Sequence, residues 1–112
     1  MIGTLNHTEE KALAEFSKAL NGYFPSRIKN ILLFGSKARG DSTPLSDIDV
    51  LVLVDRSDAL LRRRIYSMVS GILIKHEVLV SVKIIEEAHF VLLKKIGTNF
   101  VKNIEKEGIR ID

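Results

Sequence analysis

The stretch LLFGSKARGDSTPLSDIDVLVLV, residues 32–54, passes from one apolar run through Gly-Ser and a polar loop into a second apolar run headed by two aspartates. Short apolar runs rich in Val, Ile and Leu, bounded by Gly, Pro, Ser and Asp, read as strands. The first covers residues 28–34 and the second residues 47–54. Residues 36–39 read as a turn or short helix and residues 40–44 as loop. The whole connection, residues 35–46, is too short for a full crossover helix, so the second strand returns beside the first in hairpin fashion. Side chains alternate along a strand, which puts Asp47 and Asp49 on one face, about 6–7 Å apart along the backbone. A buried carboxylate costs several kcal/mol unless something pairs with it. Two of them at the mouth of a hydrophobic strand call for a neutralising partner.

Working outward, Thr8 is placed to cap a first helix, with Glu9 and Glu10 in its first turn. Leu13, Phe16, Leu20 and Phe24 recur at helical spacing, and Asn21-Gly22 weakens the end. Beyond the second strand, Asp58 can cap a long helix whose Leu61, Ile65, Met68, Val69 and Ile72 make one apolar stripe. Residues 78–85 alternate cleanly: Val78, Val80, Val82 and Ile84 face one way, Leu79, Ser81 and Lys83 the other. Helices follow at 86–96 and 98–107 with Gly97 between them, and 109–111 can add a short strand. The stripe Phe90, Leu93, Ile96, Phe100 and Ile104 reads as core, with a part available as interface. The order predicts an α/β fold, a mixed central sheet with helices packed on it.

A chain of 112 residues fits one compact domain, expected to span 1–112. Without cysteine it can form neither disulfides nor thiolate metal sites, which suits a reducing, cytoplasmic setting. No apolar run approaches the roughly 18 residues of a membrane span. The net charge of +3 suits an anionic ligand such as a nucleotide. No basic-aromatic stacking platform is visible, which argues against nucleic acid as the substrate. Arg62, Arg63 and Arg64 read as a solvated helix face, and His7, His76 and His89 lack ligand spacing.

The chemistry concentrates in the opening stretch. Gly35 permits a sharp turn and close approach of a phosphate to the backbone. The following amides and the Ser36 hydroxyl can cradle a terminal phosphate, with Lys37 and Arg39 adding positive charge. Asp47 and Asp49 can share a divalent cation; magnesium takes oxygen ligands and is commonly held by one or two carboxylates plus substrate phosphates. An anion cradle beside a metal clamp is what in-line phosphoryl or nucleotidyl transfer requires. GSKARG lacks the ending of a Walker A loop and the glycine pattern of a dinucleotide fingerprint.

Gly35-Ser36, then ten residues (37–46), then Asp47-x-Asp49, resembles the signature of the DNA polymerase beta-like nucleotidyltransferase superfamily. More narrowly, GSKARG and SDIDVLV are similar to the minimal nucleotidyltransferase family, often paired with HEPN-domain proteins as toxin–antitoxin modules. The resemblance implies a polymerase beta-like fold, Gly35 and Ser36 on the triphosphate, Asp47 and Asp49 on magnesium, and Arg39 ordering the loop or touching phosphate. It further implies AMP transfer from ATP or another nucleoside triphosphate to a hydroxyl, such as a tyrosine, of a HEPN partner, with a homodimer as the next candidate assembly. Active members of the superfamily carry a third carboxylate on a neighbouring strand. Here that position aligns with Ser81, a poor base and metal ligand, so the alternative reading is a weakened nucleotide-binding or partner-binding antitoxin.

Overall fold

The computed structural model describes residues 4–43 and 46–111. Pro44, at the end of the expected loop, lies outside them. The chain runs α1 (His7–Tyr23), β1 (Ile28–Phe34), α2 (Ser36–Arg39), β2 (Ile48–Val54), α3 (Ala59–His76), β3 (Val80–Glu86), α4 (Glu87–Ile96), α5 (Asn99–Glu107) and β4 (Ile109–Arg110). The four strands form one sheet in the order β3-β2-β1-β4. β1 runs antiparallel to β2 and to β4, whereas β2 and β3 are parallel, joined by the α3 crossover. The mixed α/β sheet expected from the connection lengths is therefore the observed one.

Two strand boundaries and one cap differ from expectation. β2 begins at Ile48, leaving Asp47 in the extended entry, and β3 begins at Val80. The cap of α1 is Asn6, not Thr8. Asn6 Oδ1 accepts the Glu9 amide at 2.8 Å, and Glu9 Oε1 accepts the Asn6 amide at 3.0 Å. This reciprocal box satisfies two otherwise orphaned amides, which a lone Thr8 one turn too late does not match. Asp58 caps α3 as expected, its Oδ1 accepting the Leu61 amide at 2.8 Å.

Alternation in the strands divides the core between the two sheet faces. Ile31, Leu33, Val50, Val52 and Val80 pack against Phe16 and Leu20 of α1 and Leu61 and Ile65 of α3. On the opposite face Leu51 and Leu53 pack with Ile104, Phe90 and Phe100 of α4 and α5. Each fully buried aliphatic or Phe side chain stabilises the fold by about 1.5–3 kcal/mol through lost apolar exposure. The near-continuous apolar run of β2 follows from this double covering. The α4–α5 stripe is core only in part: Ile104 is buried and Phe90 and Phe100 half-buried, but Ile96 is 67% exposed. Arg62, Arg63 and Arg64 are all exposed, as a solvated face requires. Among the described residues no helix is long and apolar enough to cross a membrane.

α1 is also tied to α2 by charge. Lys37 is buried, with its Nζ 3.0 Å from Glu9 Oε2. A buried pair that loses one member leaves an uncompensated charge, at a cost of about 3–5 kcal/mol. Lys37→Met is expected to lower the unfolding free energy by about 3 kcal/mol in urea titrations. Adding Glu9→Gln, which removes the charge but keeps an acceptor for the Asn6 amide, is expected to recover most of that loss. A single variant within about 0.5 kcal/mol of wild type would show that the pair does not stabilise the fold.

Candidate functional site

β1 ends where β2 begins, because the two strands are antiparallel and Phe34 pairs with Asp49. The next residue, Gly35, has φ +75° and ψ −157°, a conformation L side chains rarely adopt. A Cβ on Gly35 would overlap the Asp49 carboxylate at Oδ2. The backbone therefore passes directly over the Asp49 side chain, and only glycine lets it do so. Ser36 then opens α2, whose first amides have no preceding turn to supply carbonyls. α2 closes on Gly40, whose amide donates to the Ser36 carbonyl at 2.9 Å.

Asp47 is exposed and Asp49 half-buried. Burial, and secondarily the charge of Asp47, push the Asp49 carboxyl above its ordinary range; Lys83 and Arg39 act against that rise. The ionised form that a cation would bind is thus held at a cost, which a bound cation would relieve. The donor set is two carboxylates with oxygen ligands only, open on the side of Gly35, and it fits a magnesium ion that completes its shell with water and phosphate oxygens. Among the described residues no group of three or more His, Cys, Asp or Glu side chains could hold a metal by itself. A cavity of about 470 Å³ adjoins Asp47, lined by Asn6, Ser46, His76 and Glu77 among others.

The loop cations divide. Lys37, placed by its sequence position among the phosphate-facing candidates, turns away into the pair with Glu9, and its Nζ also lies 3.5 Å from the Thr43 carbonyl oxygen. It is a buried tie to α1 rather than a solvated loop cation. Its partner Glu9 carried no motif; three residues after Asn6 it reads only as a capping residue. Arg39 stays half out in solvent, its Nε donating to Asp41 at 3.1 Å and its Nη1 to Glu107 of α5 at 3.2 Å. It fastens α2 to the end of the chain, a long-range contact that no local pattern announces.

On β3, Ser81 is the register partner of Asp49 and Lys83 of Leu51. Both are exposed on the face that carries Asp49. Glu86 does not bend back into the site; its Oε2 accepts the Ser57 amide at 2.8 Å. Glu77 is the left-handed C-cap of α3. Of the histidines, His76 is structural: its Nε2 donates to Glu15, joining α3 to α1. Hydrogen bonds first from Lys75 and then from His76 hold the Glu15 carboxyl down at about 2.

The sequence profile of the family described as "Nucleotidyltransferase domain" matches residues 13–111. A chain of Methanocaldococcus jannaschii named "Putative protein adenylyltransferase MJ0604" is 39% identical over 100 residues, covering 89% of this chain and 94% of its own length. Among solved structures, a toxin–antitoxin with AMP-PNP shares 20% identity at a TM-score of 0.54, covering 88% of this chain and 72% of that one. A tri-AMPylated Shewanella oneidensis HEPN toxin in complex with MNT antitoxin shares 18% identity at a TM-score of 0.51, covering 92% and 71%. These two structural likenesses are likenesses of fold.

Two outcomes test the geometry. Gly35→Ala combines a disfavoured positive φ with a collision, so it is expected to destabilise the fold by more than the roughly 1 kcal/mol of an αL alanine alone. Gly35→Ala with Asp49→Ala is expected to recover the collision share but not the backbone share, read by urea denaturation. The second outcome concerns pH. The folded Asp49 carboxyl keeps its proton to higher pH than in the unfolded chain, so its contribution to stability is fully present below the unfolded value of about 3.8 and is lost as pH rises through the folded value. Asp49→Asn is expected to remove that loss and leave the metal-free protein more stable at neutral pH. An Asp49→Asn variant with an unchanged pH–stability curve would contradict the assignment.

Proposed function

The chain belongs to the nucleotidyltransferase-domain family, and from that premise we propose that it moves AMP from ATP, with magnesium, onto a hydroxyl of a partner protein of the HEPN class. The observation that carries this reading is the crossing of Gly35 over Asp49, which sets an anion-accepting turn against a carboxylate pair. The protein adenylyltransferase name of the relative supports AMP as the group moved. The AMP-PNP complex and the AMPylated HEPN toxin among the structural neighbours support the nucleotide and the partner class.

In this mechanism the Gly35–Ser36 turn receives the β- and γ-phosphates through backbone amides and the Ser36 hydroxyl. Asp47 and Asp49 would hold the magnesium ion, which when bound neutralises phosphate charge and polarises the α-phosphoryl group. Arg39, braced by Asp41 and Glu107, keeps the turn in place. The open sheet face beside Ser81 leaves the acceptor to be supplied by another molecule, positioned within about 3–3.5 Å of the α-phosphorus.

A specific observation also favours a second reading, a nucleotide-binding or partner-binding antitoxin with weakened turnover: serine stands opposite Asp49 where a third carboxylate would complete the set. The test is incubation of the protein with α-labelled ATP, magnesium and a HEPN-domain protein from the same genome. Label is expected on the partner, and it is expected to vanish with Asp47→Asn plus Asp49→Asn or with chelator. A tight complex that gains no label would favour the second reading over the first.

A further inference from the structure

Three neighbouring strands share the open face. β1 ends in the Gly35–Ser36 turn, β2 carries Asp49, and β3 carries Ser81 opposite Asp49 and Lys83 opposite Leu51. In an in-line displacement the entering oxygen and the leaving group stand on opposite sides of phosphorus. A pyrophosphate that leaves toward β1 puts the entering hydroxyl on the β3 side of Asp49.

What β3 presents there is a hydroxyl and an ammonium. Ser81 and Lys83 are both exposed. Lys83 Nζ lies 5.9 Å from the centre of the Phe100 ring, a cation–π distance that keeps it over the sheet. Its charge is felt at Asp49. The other groups around this spot are accounted for: Asp49 from β2, the Phe100 ring from α5, and Arg39 from α2, which is held by Asp41 and Glu107. Glu86, the last residue of β3, is held by the Ser57 amide. Glu77 lies four residues before Ser81, about 13 Å along an extended chain.

We infer that Lys83 meets the acceptor oxygen, and that the site selects hydroxyls acidic enough to react as oxyanions, phenols over aliphatic alcohols. The inference rests on the adenylyl-transfer reading and specifies its acceptor side. The strand offers a cation that stabilises an oxyanion and no carboxylate that would create one. A phenol has a pKa near 10, within reach of such help, whereas an alcohol lies far above it. The step balances simply. The phenol gives its proton to water, its oxygen forms the bond to the α-phosphorus, and the bond from that phosphorus to the bridging oxygen breaks. Pyrophosphate leaves with the electron pair.

The test compares wild type, Lys83→Met and Lys83→Arg at saturating magnesium and ATP, with the HEPN-domain protein as acceptor. That acceptor is used with its ordinary tyrosine and with fluorotyrosine of lower phenol pKa. ATP affinity is read separately by equilibrium binding, and thermal unfolding checks that each variant folds. Lys83→Met is expected to lower the maximal transfer rate by about tenfold to a hundredfold near neutral pH. It is expected to move the rate–pH profile upward and to leave ATP affinity within about twofold of wild type. Fluorotyrosine is expected to shrink the deficit, and Lys83→Arg to restore part of the rate. An unchanged rate, or weakened ATP affinity with an unchanged rate, would overturn the role at the acceptor. Label on serine or threonine in place of tyrosine would overturn the selection of phenols. Absence of transfer by wild type itself would instead remove the adenylyl-transfer reading, and this inference with it.

Discussion

The close passage of Gly35 over the Asp49 carboxylate is the constraint around which the molecule is arranged. It requires a residue with no Cβ and a positive φ at the end of β1. It requires β1 and β2 to be antiparallel neighbours, so that the end of one strand meets the beginning of the other. It requires the connecting segment to turn at once, which α2 does with its four residues and its Gly40 cap. Each of these is a local cost. The left-handed backbone and the half-buried carboxylate both oppose folding, and burial of the two sheet faces under α1, α3, α4 and α5 offsets them. The site is thus a strained rim on a well-packed sheet.

Much of this was readable in residues 32–54 because two strands and a short turn are specified locally. Period-two alternation gave the faces, and the connection length gave the antiparallel pairing. The pairing of Ser81 with Asp49 could also be anticipated, since parity and a parallel crossover leave few registers. Lys37 was not readable in the same way. In sequence it is one of two cations after Gly-Ser, equal in standing to Arg39. Its fate depends on Glu9, 28 positions earlier, whose reach into the α2 region depends on how α1 docks. The contact of Arg39 with Glu107 has the same character, joining residues 68 apart. The Asn6 cap failed to stand out for a smaller reason: Thr8 and Asn6 both precede acidic residues, and only the box geometry with Glu9 separates them.

Charge is distributed so that the loop is rigid while its inner face stays available. Lys37 and Arg39 lie two residues apart and leave α2 in different directions, one into the Glu9 pair beside α1 and the other onto Glu107 of α5. A four-residue helix has little stability of its own, since its nucleation cost is scarcely recovered. Two ion pairs to helices elsewhere in the chain hold it instead. That leaves the Gly35–Ser36 amides as the polar groups presented toward Asp49, and neutral amides receive phosphate without competing for the carboxylates. A lysine directed into the same space would neutralise Asp49 in the free protein and weaken its claim on a cation.

The same reasoning bears on β3. A carboxylate in place of Ser81 would stand directly opposite Asp49, adding a second like charge to one already disfavoured by burial and by Asp47. Like charges at that spacing raise one another's pKa, so a third carboxylate destabilises the metal-free protein even as it completes a metal site. Serine removes that cost, and Lys83 reverses its sign, since its charge lowers the Asp49 carboxyl. The exchange has a chemical consequence. A face with two carboxylates and an ammonium can hold a metal–nucleotide complex and attract an oxyanion, but it has no spare base. Proton removal must then be easy for the acceptor itself, which ties the choice of acceptor to a stability problem at one position of an edge strand.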